Sequence, residues 1–431
     1  MHWGGRQREI PEGGGLPPGA EIRRATEKDR EAILEVVETC FAPPGGHRPG
    51  RIEERFWHVY APDQFQPSAW QVAVAGGKIV AAAGFPAMEL NVGPFSLRCA
   101  GVTGVCTLPG WRGRGLMSAL LREGIDDIDR RRLPLSLLKG MRHRYRRFGF
   151  EDGGRRLGLV LHRRRFPDPG WSDEQVVHVA GLGASTQLVP GFCERLLAVQ
   201  KRYLGRALRS LSAQRAMISR RGVHTYYVER AGDAAYALAG DWEGPHLDDG
   251  FLPEEEGGTR GKLYEVAGDP RLALQLLGFL MRKGSGSLQA LVSPCLSGFE
   301  RRLWERAERQ FLSPAGMIRI HDLAGLLTAY TPWWKTRFRS GADSLVLVME
   351  DKVGGSQAVE MVWDRRDVRV RRLDAPPAGA EGNVIRADRW NWVQALFGPL
   401  DVEAALGYSP RARRLRELLP LPFWPPRLEQ V

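Results

Sequence analysis

The sequence predicts a mixed α/β protein that ends in an α+β section, and three observations predict it. Apolar runs of strand length alternate with helical runs of 3.6-residue period over residues 20–165. A similar mixture returns over residues 174–320, and β-like runs followed by helices fill residues 321–431. A chain of 431 residues is more than one hydrophobic core fills, so two or three domains are expected. Residues 1–19, rich in glycine and proline and without an apolar segment, read as a disordered tail rather than a signal peptide. The stretch 165–172, with Pro167, Pro169 and Gly170, reads as a linker.

Within the first domain, Glu21 to Arg24 reads as a strand. Thr26-Glu27-Lys28-Asp29 then offers a capping-box-like start, its hydroxyl placed to accept an orphan N–H. Ala32, Ile33, Val36, Val37 and Cys40 recur at helical spacing, and Pro43-Pro44-Gly45-Gly46 ends that helix. Residues 51–59 suit a short second helix. Gly76-Gly77 joins two alternating runs as a hairpin, and further strands lead to Pro109 and a glycine-rich turn. The next helix carries Leu116, Met117, Leu120, Leu121, Ile125 and Ile128 on one face, as a helix covering a sheet requires. A strand at 135–138 follows, and Leu157 to His162 is expected to close the domain.

The middle section has a hairpin at Gly232-Asp233, a helix from Pro270, a strand at 288–293 and a helix over Phe299 to Phe311. Ile318 and Ile320 open the last section as a strand. A helix from Asp322, β-like runs near 345–350, 358–363 and 368–373, and helices near 390–397 and 410–419 complete it.

The chemistry gathers between Ala100 and Phe150. A short apolar strand (Val102, Val105, Thr107, Leu108) stops at Pro109, and Trp111-Arg112-Gly113-Arg114-Gly115-Leu116 leads into the helix. A glycine-rich turn feeding a helix N-terminus aims unpaired backbone N–H groups at one point, where the helix dipole adds positive charge. Arg112 and Arg114 add cations beside it. About thirty residues on, Tyr145 stands just ahead of the Phe148-Gly149-Phe150 turn. An anion cradle with a downstream phenol suggests acyl transfer from a pyrophosphate-bearing donor. The plainer readings are a surface turn with arginines and a tyrosine that only packs beside Phe148 and Phe150.

These residues resemble the GCN5-related N-acetyltransferases (GNAT), and more closely their Eis-like branch. The family's diphosphate loop reads Arg/Gln-x-x-Gly-x-Gly/Ala, which Arg112-Gly113-Arg114-Gly115-Leu116-Met117 fits except at Met117, where the Eis-like branch often has a larger aliphatic residue. The resemblance implies an N-terminal GNAT mixed sheet, a second, degenerate GNAT-like domain without a phosphate loop, and a sterol-carrier-protein-like α+β domain at the C-terminal end. It implies an acetyl-CoA cosubstrate held by Arg112, Gly113, Arg114, Gly115 and Leu116. A splayed strand would offer backbone donors at Val105 and Thr107, two residues apart and so alike in orientation. Tyr145 would be the general acid, and the carboxylate of the chain's last residue, here Val431, would enter the active site. Glu38, Glu53 and His47 border the acceptor cleft in the family fold. The acceptor would be a small-molecule or peptide amine attacked directly in a ternary complex, and the assembly a homo-oligomer such as a hexamer. The competing expectation is a non-catalytic acyl-CoA or lipid-binding protein on the same fold.

Composition narrows the alternatives. Five scattered cysteines, odd in number and without a C-x-x-C pair, support neither a disulfide framework nor a zinc site, so no metal is expected and a reducing cytoplasm is. Cys106, near the proposed site, reads as a small buried hydrophobe. The formal charge of +12 comes mostly from arginines interleaved with acids, with no block that would track a phosphate backbone, so no nucleic-acid partner is expected. Apolar runs stay far below the roughly 20 residues that span a bilayer, so no membrane partner is expected either.

Overall fold

The computed structural model describes residues 16–41, 50–92, 95–200, 209–240, 261–284, 286–293, 298–337, 341–351, 355–375 and 383–423. Chain order begins β1 (Ala20–Arg24), α1 (Arg30–Phe41), α2 (Arg51–Arg55), α3 (Trp57–Tyr60), β2 (Trp70–Ala75), β3 (Lys78–Gly84), β4 (Ala87–Asn91) and β5 (Ser96–Thr107). It continues with α4 (Leu116–Arg130), β6 (Leu135–Leu138), α5 (Arg142–Tyr145) and β7 (Glu151–Gly153). The capping box forms ahead of α1: Asp29 accepts the Thr26 N–H at 2.7 Å and both forks of the Arg23 guanidinium at 2.8 Å. Gly76 and Gly77 both take positive φ, as a two-residue hairpin demands.

α1 packs Ile33, Val36 and Val37 on one face of the first sheet, against Val72, Ala82 and Cys106. α4 covers the other face with Leu116, Leu120, Leu121, Ile125 and Ile128. The sheet runs β1-β2-β3-β5-β6-β15-β7, with β4 also on β5; β15 is Gly316–Ile320.

Next come β8 (Arg156–His162), β9 (Val177–Ala180), α6 (Phe192–Gln200), α7 (Leu211–Ile218), β10 (Val223–Arg230), β11 (Asp233–Gly240), β12 (Gly261–Gly268), α8 (Pro270–Lys283), β13 (Ser287–Val292), α9 (Gly298–Arg306) and β14 (Ala307–Ser313). They form a second mixed sheet in the order β14-β8-β13-β12-β11-β10-β9. After β15 follow α10 (Leu323–Ala329), α11 (Thr331–Arg337), β16 (Asp343–Glu350), β17 (Gln357–Trp363), β18 (Val368–Leu373), β19 (Val384–Asp388), α12 (Arg389–Phe397), α13 (Val402–Leu406) and α14 (Pro410–Arg414), with a third sheet ordered β18-β17-β16-β19. The architecture is the mixed α/β and α+β arrangement expected.

Two strands change sheets relative to the sequence reading. The run at 157–162, expected to close the first sheet, lies between β13 and β14 of the second. β15, expected to open the last section, fills the gap between β6 and β7 of the first. Both are buried apolar strands, and such a strand carries no mark of which sheet completes its ladder. β15 buries Met317 with the α4 side and Ile318 and Ile320 with the last section, so one strand joins two cores. The helix expected over 299–311 stops at Arg306, because residues 307–313 pair along β8 as an edge strand.

A polar seam runs beneath the first sheet. His321 Nδ1 pairs with Asp129 of α4 at 2.6 Å and its Nε2 with Ser136 of β6 at 2.8 Å. Arg319 donates to the Phe148 carbonyl at 2.7 Å. Residues 1–15, the Pro43 to Gly46 breaker, His47, the acidic run 254–256, Cys295 and Val431 lie outside the described residues.

Candidate functional site

The glycine turn and the helix start after it form where the sequence places them. Gly115 is the N-cap of α4 at φ 80°, and Gly113 takes φ 74°. No side chain caps this helix, and the first helical bond runs from Ala119 N to Gly115 O. The N–H groups of Leu116, Met117 and Ser118 therefore have no intrahelical acceptor. A Cβ built on Gly113 or Gly115 meets nothing within 4 Å, so the space a diphosphate needs lies directly over the two glycines. The Leu116 side chain is buried in the core, so only its backbone is left to face the turn. Arg114 stacks on Trp111 at 4.7 Å, and Arg112 Nε donates to the Thr107 carbonyl at 3.1 Å.

The opposite wall is the far half of β5. Parallel pairing with β6 covers residues 100–102 only, while β5 continues to Thr107 along β3. Gly104 makes this divergence with a left-handed φ of 58° and a register shift against β3. A Cβ there would fall 2.6 Å from the Trp70 ring, so only glycine permits the bend. Leu108 donates its N–H to Val80 on the β3 side. By strand alternation Thr107 and Val105 present theirs at the other edge, the one β6 has left.

Tyr145 packs against the same core as Val105 and is near enough to Cys106 of β5 to feel its charge. Its ring meets Phe150 edge-on at 6.3 Å, and its hydroxyl makes no hydrogen bond among the described residues. Burial raises the phenol above its ordinary value of 10, Arg144 opposes and Cys106 reinforces, so the group is protonated at neutral pH. The turn that carries it is pinned from below. Buried Glu151 takes Arg142 Nη2 at 2.7 Å and Arg146 Nε at 3.0 Å; burial pushes its carboxyl up, yet those arginines hold it below the usual range. Arg147 donates to Ser118 Oγ at 3.0 Å and ties the turn to the cradle helix. Val105, Leu108, Trp111, Met117 and Tyr145, with Ala20 and Ile22 of β1, are partly buried apolar residues packed against the one core that α4 covers.

Other sequence candidates take structural parts. Glu38 is buried and accepts the Gly50 N–H at 2.9 Å, while Glu53 pairs with Arg30. Cys106 is buried as expected, and beside its free thiol lies that of Cys40, which sequence reasoning passed over. The Cys40 thiol is pulled down, first by Cys106 and then by Arg112 and the Thr107 N–H, against the effect of burial. Nothing at the sequence level links a residue of α1 to the edge of β5. Among the described residues, His, Cys, Asp and Glu form no cluster of three or more suited to a metal ion.

The second unit repeats the β-loop-α-β path from β12 through α8 to β13, but its helix start is closed. The Asp269 carboxylate accepts the N–H groups of Arg271 and Leu272 at 3.0 and 2.9 Å, so the donors that would hold a phosphate are used and the local charge repels one.

Comparison with known proteins places this geometry. Residues 21–153 match the family model described as an acetyltransferase (GNAT) domain. Along nearly the whole chain the fold is that of solved GNAT structures. A GCN5-related N-acetyltransferase from Kribbella flavida superposes with a TM-score of 0.64 at 17% identity, covering 94% of this chain and 97% of the other. A conserved protein of unknown function from Enterococcus faecalis, described as a probable N-acyltransferase, gives 0.65 at 16%, covering 92% and 96%. Eis1 from Mycobacterium abscessus gives 0.61 at 16%, covering 94% and 99%. No curated protein matches the chain in sequence.

Proposed function

We propose that the chain is an acetyl-CoA-dependent N-acetyltransferase that passes an acetyl group to an amine by direct attack in a ternary complex. One observation carries the reading: an uncapped, glycine-framed helix N-terminus meets the unpaired edge of β5 beside an unbonded, protonated phenol. The N–H groups from Leu116 to Ser118, with Arg112 and Arg114, suit the diphosphate. The Val105 N–H suits the pantetheine arm and the oxygen that gains charge as the amine adds, and the Thr107 N–H joins it on turning from the Cys40 thiol. Tyr145 donates its proton to the departing thiolate. Acetyl-CoA supplies an activated thioester; these residues bind it, orient it and hold the proton.

The same proposal gives the base to the Val431 carboxylate. The Phe423 carbonyl lies beside Gly154, just past β7, three strand spacings or about 14 Å from β5. Residues 424–431 reach about 26–29 Å when extended, enough to cross that distance. An Eis-like identity, a sterol-carrier-protein-like last section, a homo-oligomer such as a hexamer and a cytoplasmic setting belong to the same proposal. The fold shared with Eis1 over 94% of the chain supports the layout. No helix among the described residues is long and apolar enough to cross a membrane.

The test is a panel of amines assayed for release of coenzyme A, on the full chain and on a chain lacking residues 424–431. Release with one amine class, lost on truncation while acetyl-CoA still binds, is the expected result. Acetyl-CoA binding with no release across the panel would favour a non-catalytic acyl-CoA-binding protein.

A further inference from the structure

Two free thiols meet where α1 packs on β5. Cys40, the penultimate residue of α1, packs against the core that holds Cys106, the β5 residue next to Thr107. The two side chains lie within hydrogen-bonding reach of each other. Cys40 is half-buried and so keeps access to solvent, while Cys106 is only 7% exposed. Arg112, whose Nε donates to the Thr107 carbonyl at 3.1 Å, adds its charge beside the Cys40 sulfur, and the Thr107 N–H bonds that sulfur.

The described cysteines are not equivalent. Cys99 is wholly buried and Cys193 sits in an apolar core, and burial raises both thiols above their ordinary value. Cys40 is held down to about 7 by Cys106, then Arg112 and the Thr107 N–H, against the effect of burial. A large share of it is thiolate at neutral pH, the form that attacks peroxides. Cys106 behaves oppositely: next to that sulfur and out of water, its thiol is pushed well up and keeps its proton. A half-exposed thiolate with a second thiol in reach is the arrangement in which a first oxidation is trapped as a disulfide before it goes further. Only Phe41 follows Cys40 in α1, so the closer approach that an S–S bond needs is taken up at a helix end, where the turn gives most easily.

We propose that Cys40 and Cys106 are a modification site that hydrogen peroxide converts to a reversible disulfide between α1 and β5. The Cys40 thiolate attacks one peroxide oxygen and the O–O bond breaks. Cys40 becomes a sulfenic acid, and the departing hydroxide takes a proton and leaves as water. The Cys106 sulfur then attacks the Cys40 sulfur: the S–S bond forms, the S–O bond breaks, and the hydroxyl leaves with the Cys106 proton as a second water. The two sulfurs together lose two electrons and the peroxide gains them. A dithiol restores both thiols by exchange. The site stands whether or not the chain transfers acetyl groups.

The full chain is treated with a small excess of hydrogen peroxide at neutral pH, the remaining thiols are blocked with iodoacetamide in denaturant, and tryptic peptides are read by mass spectrometry before and after dithiothreitol. A cross-linked peptide pair that disappears on reduction is expected, with fragmentation placing the link on Cys40 and Cys106 rather than on Cys99, which shares the tryptic peptide of Cys106. In the Cys106→Ser protein the oxidation of Cys40 stops at the sulfenic acid, which dimedone labels. In the Cys40→Ser protein the oxidation of Cys106 slows at least about tenfold, because the attacking thiolate is gone. The unmutated chain decides the matter alone if either variant misfolds. Cys40 left unoxidised, Cys40 carried to a sulfinic acid without the link, a link from Cys40 to a different cysteine, or equal oxidation of Cys106 in the Cys40→Ser protein would each overturn the proposal.

Discussion

Replacing Tyr145 by Phe removes one oxygen and leaves the ring. In the resting protein that oxygen has no hydrogen-bond partner among the described residues, and the edge-on contact with Phe150 needs only the ring. The substitution therefore costs under about 0.5 kcal/mol of stability, the range of changes that break no buried network, and acetyl-CoA affinity stays as it was. The transition state differs, because a positioned proton donor contributes roughly 10²–10⁴-fold, or about 2.7–5.4 kcal/mol. The expected result is a fall in kcat of that size with unchanged Kd and Tm, read by stopped thiol assays, calorimetry and thermal unfolding. Burial holds the folded phenol above its ordinary value of 10, and its protonated form is the active one. Activity lost through its ionisation then appears only above pH 10, and below that the two proteins share one pH profile. Full kcat in the phenylalanine variant would remove Tyr145 from the mechanism, and a parallel loss of Kd or Tm would make its role one of packing.

The cradle, the polar seam and the assembly each give a further expectation. Gly115→Val forces a β-branched residue to φ 80°, at about 1–2 kcal/mol, and fills the open space over the turn. Calorimetry should show acetyl-CoA affinity falling at least tenfold, against a few-fold for exposed Arg114→Ala, and unchanged affinity in the valine variant would sink the diphosphate assignment. Burial holds His321 down to about 4, with Arg319 and Arg389 reinforcing and the Asp129 hydrogen bond opposing. Its unfolded value is about 6.5, so the unfolded chain alone takes up the proton as pH falls through that window, and stability declines between about pH 6.5 and pH 4 by roughly 3 kcal/mol. Urea midpoints at pH 7 and 4.5 for wild type and His321→Asn check this; equal pH slopes would refute it. Light scattering should return a homo-oligomer such as a hexamer, and a monomer of 48.1 kDa across a concentration series would refute the assembly proposal.

The sequence by itself determined the local devices. Thr26 with Asp29, Gly76-Gly77, the apolar face of α4 and the Gly113–Gly115 turn each act within a few residues, through dihedral preference, capping or helical period, and each appears where the pattern puts it. Tyr145 follows the same βαβ path as the glycine turn, and short connections return it to the core that Val105 and Met117 also pack against. Only the tertiary structure decided which sheet takes β8 and which takes β15, because a fully buried strand shows the same apolar run whichever ladder it completes. It alone brought Cys40 of α1 to Cys106 of β5, and His321 to Asp129 and Ser136, pairs separated by tens to hundreds of residues.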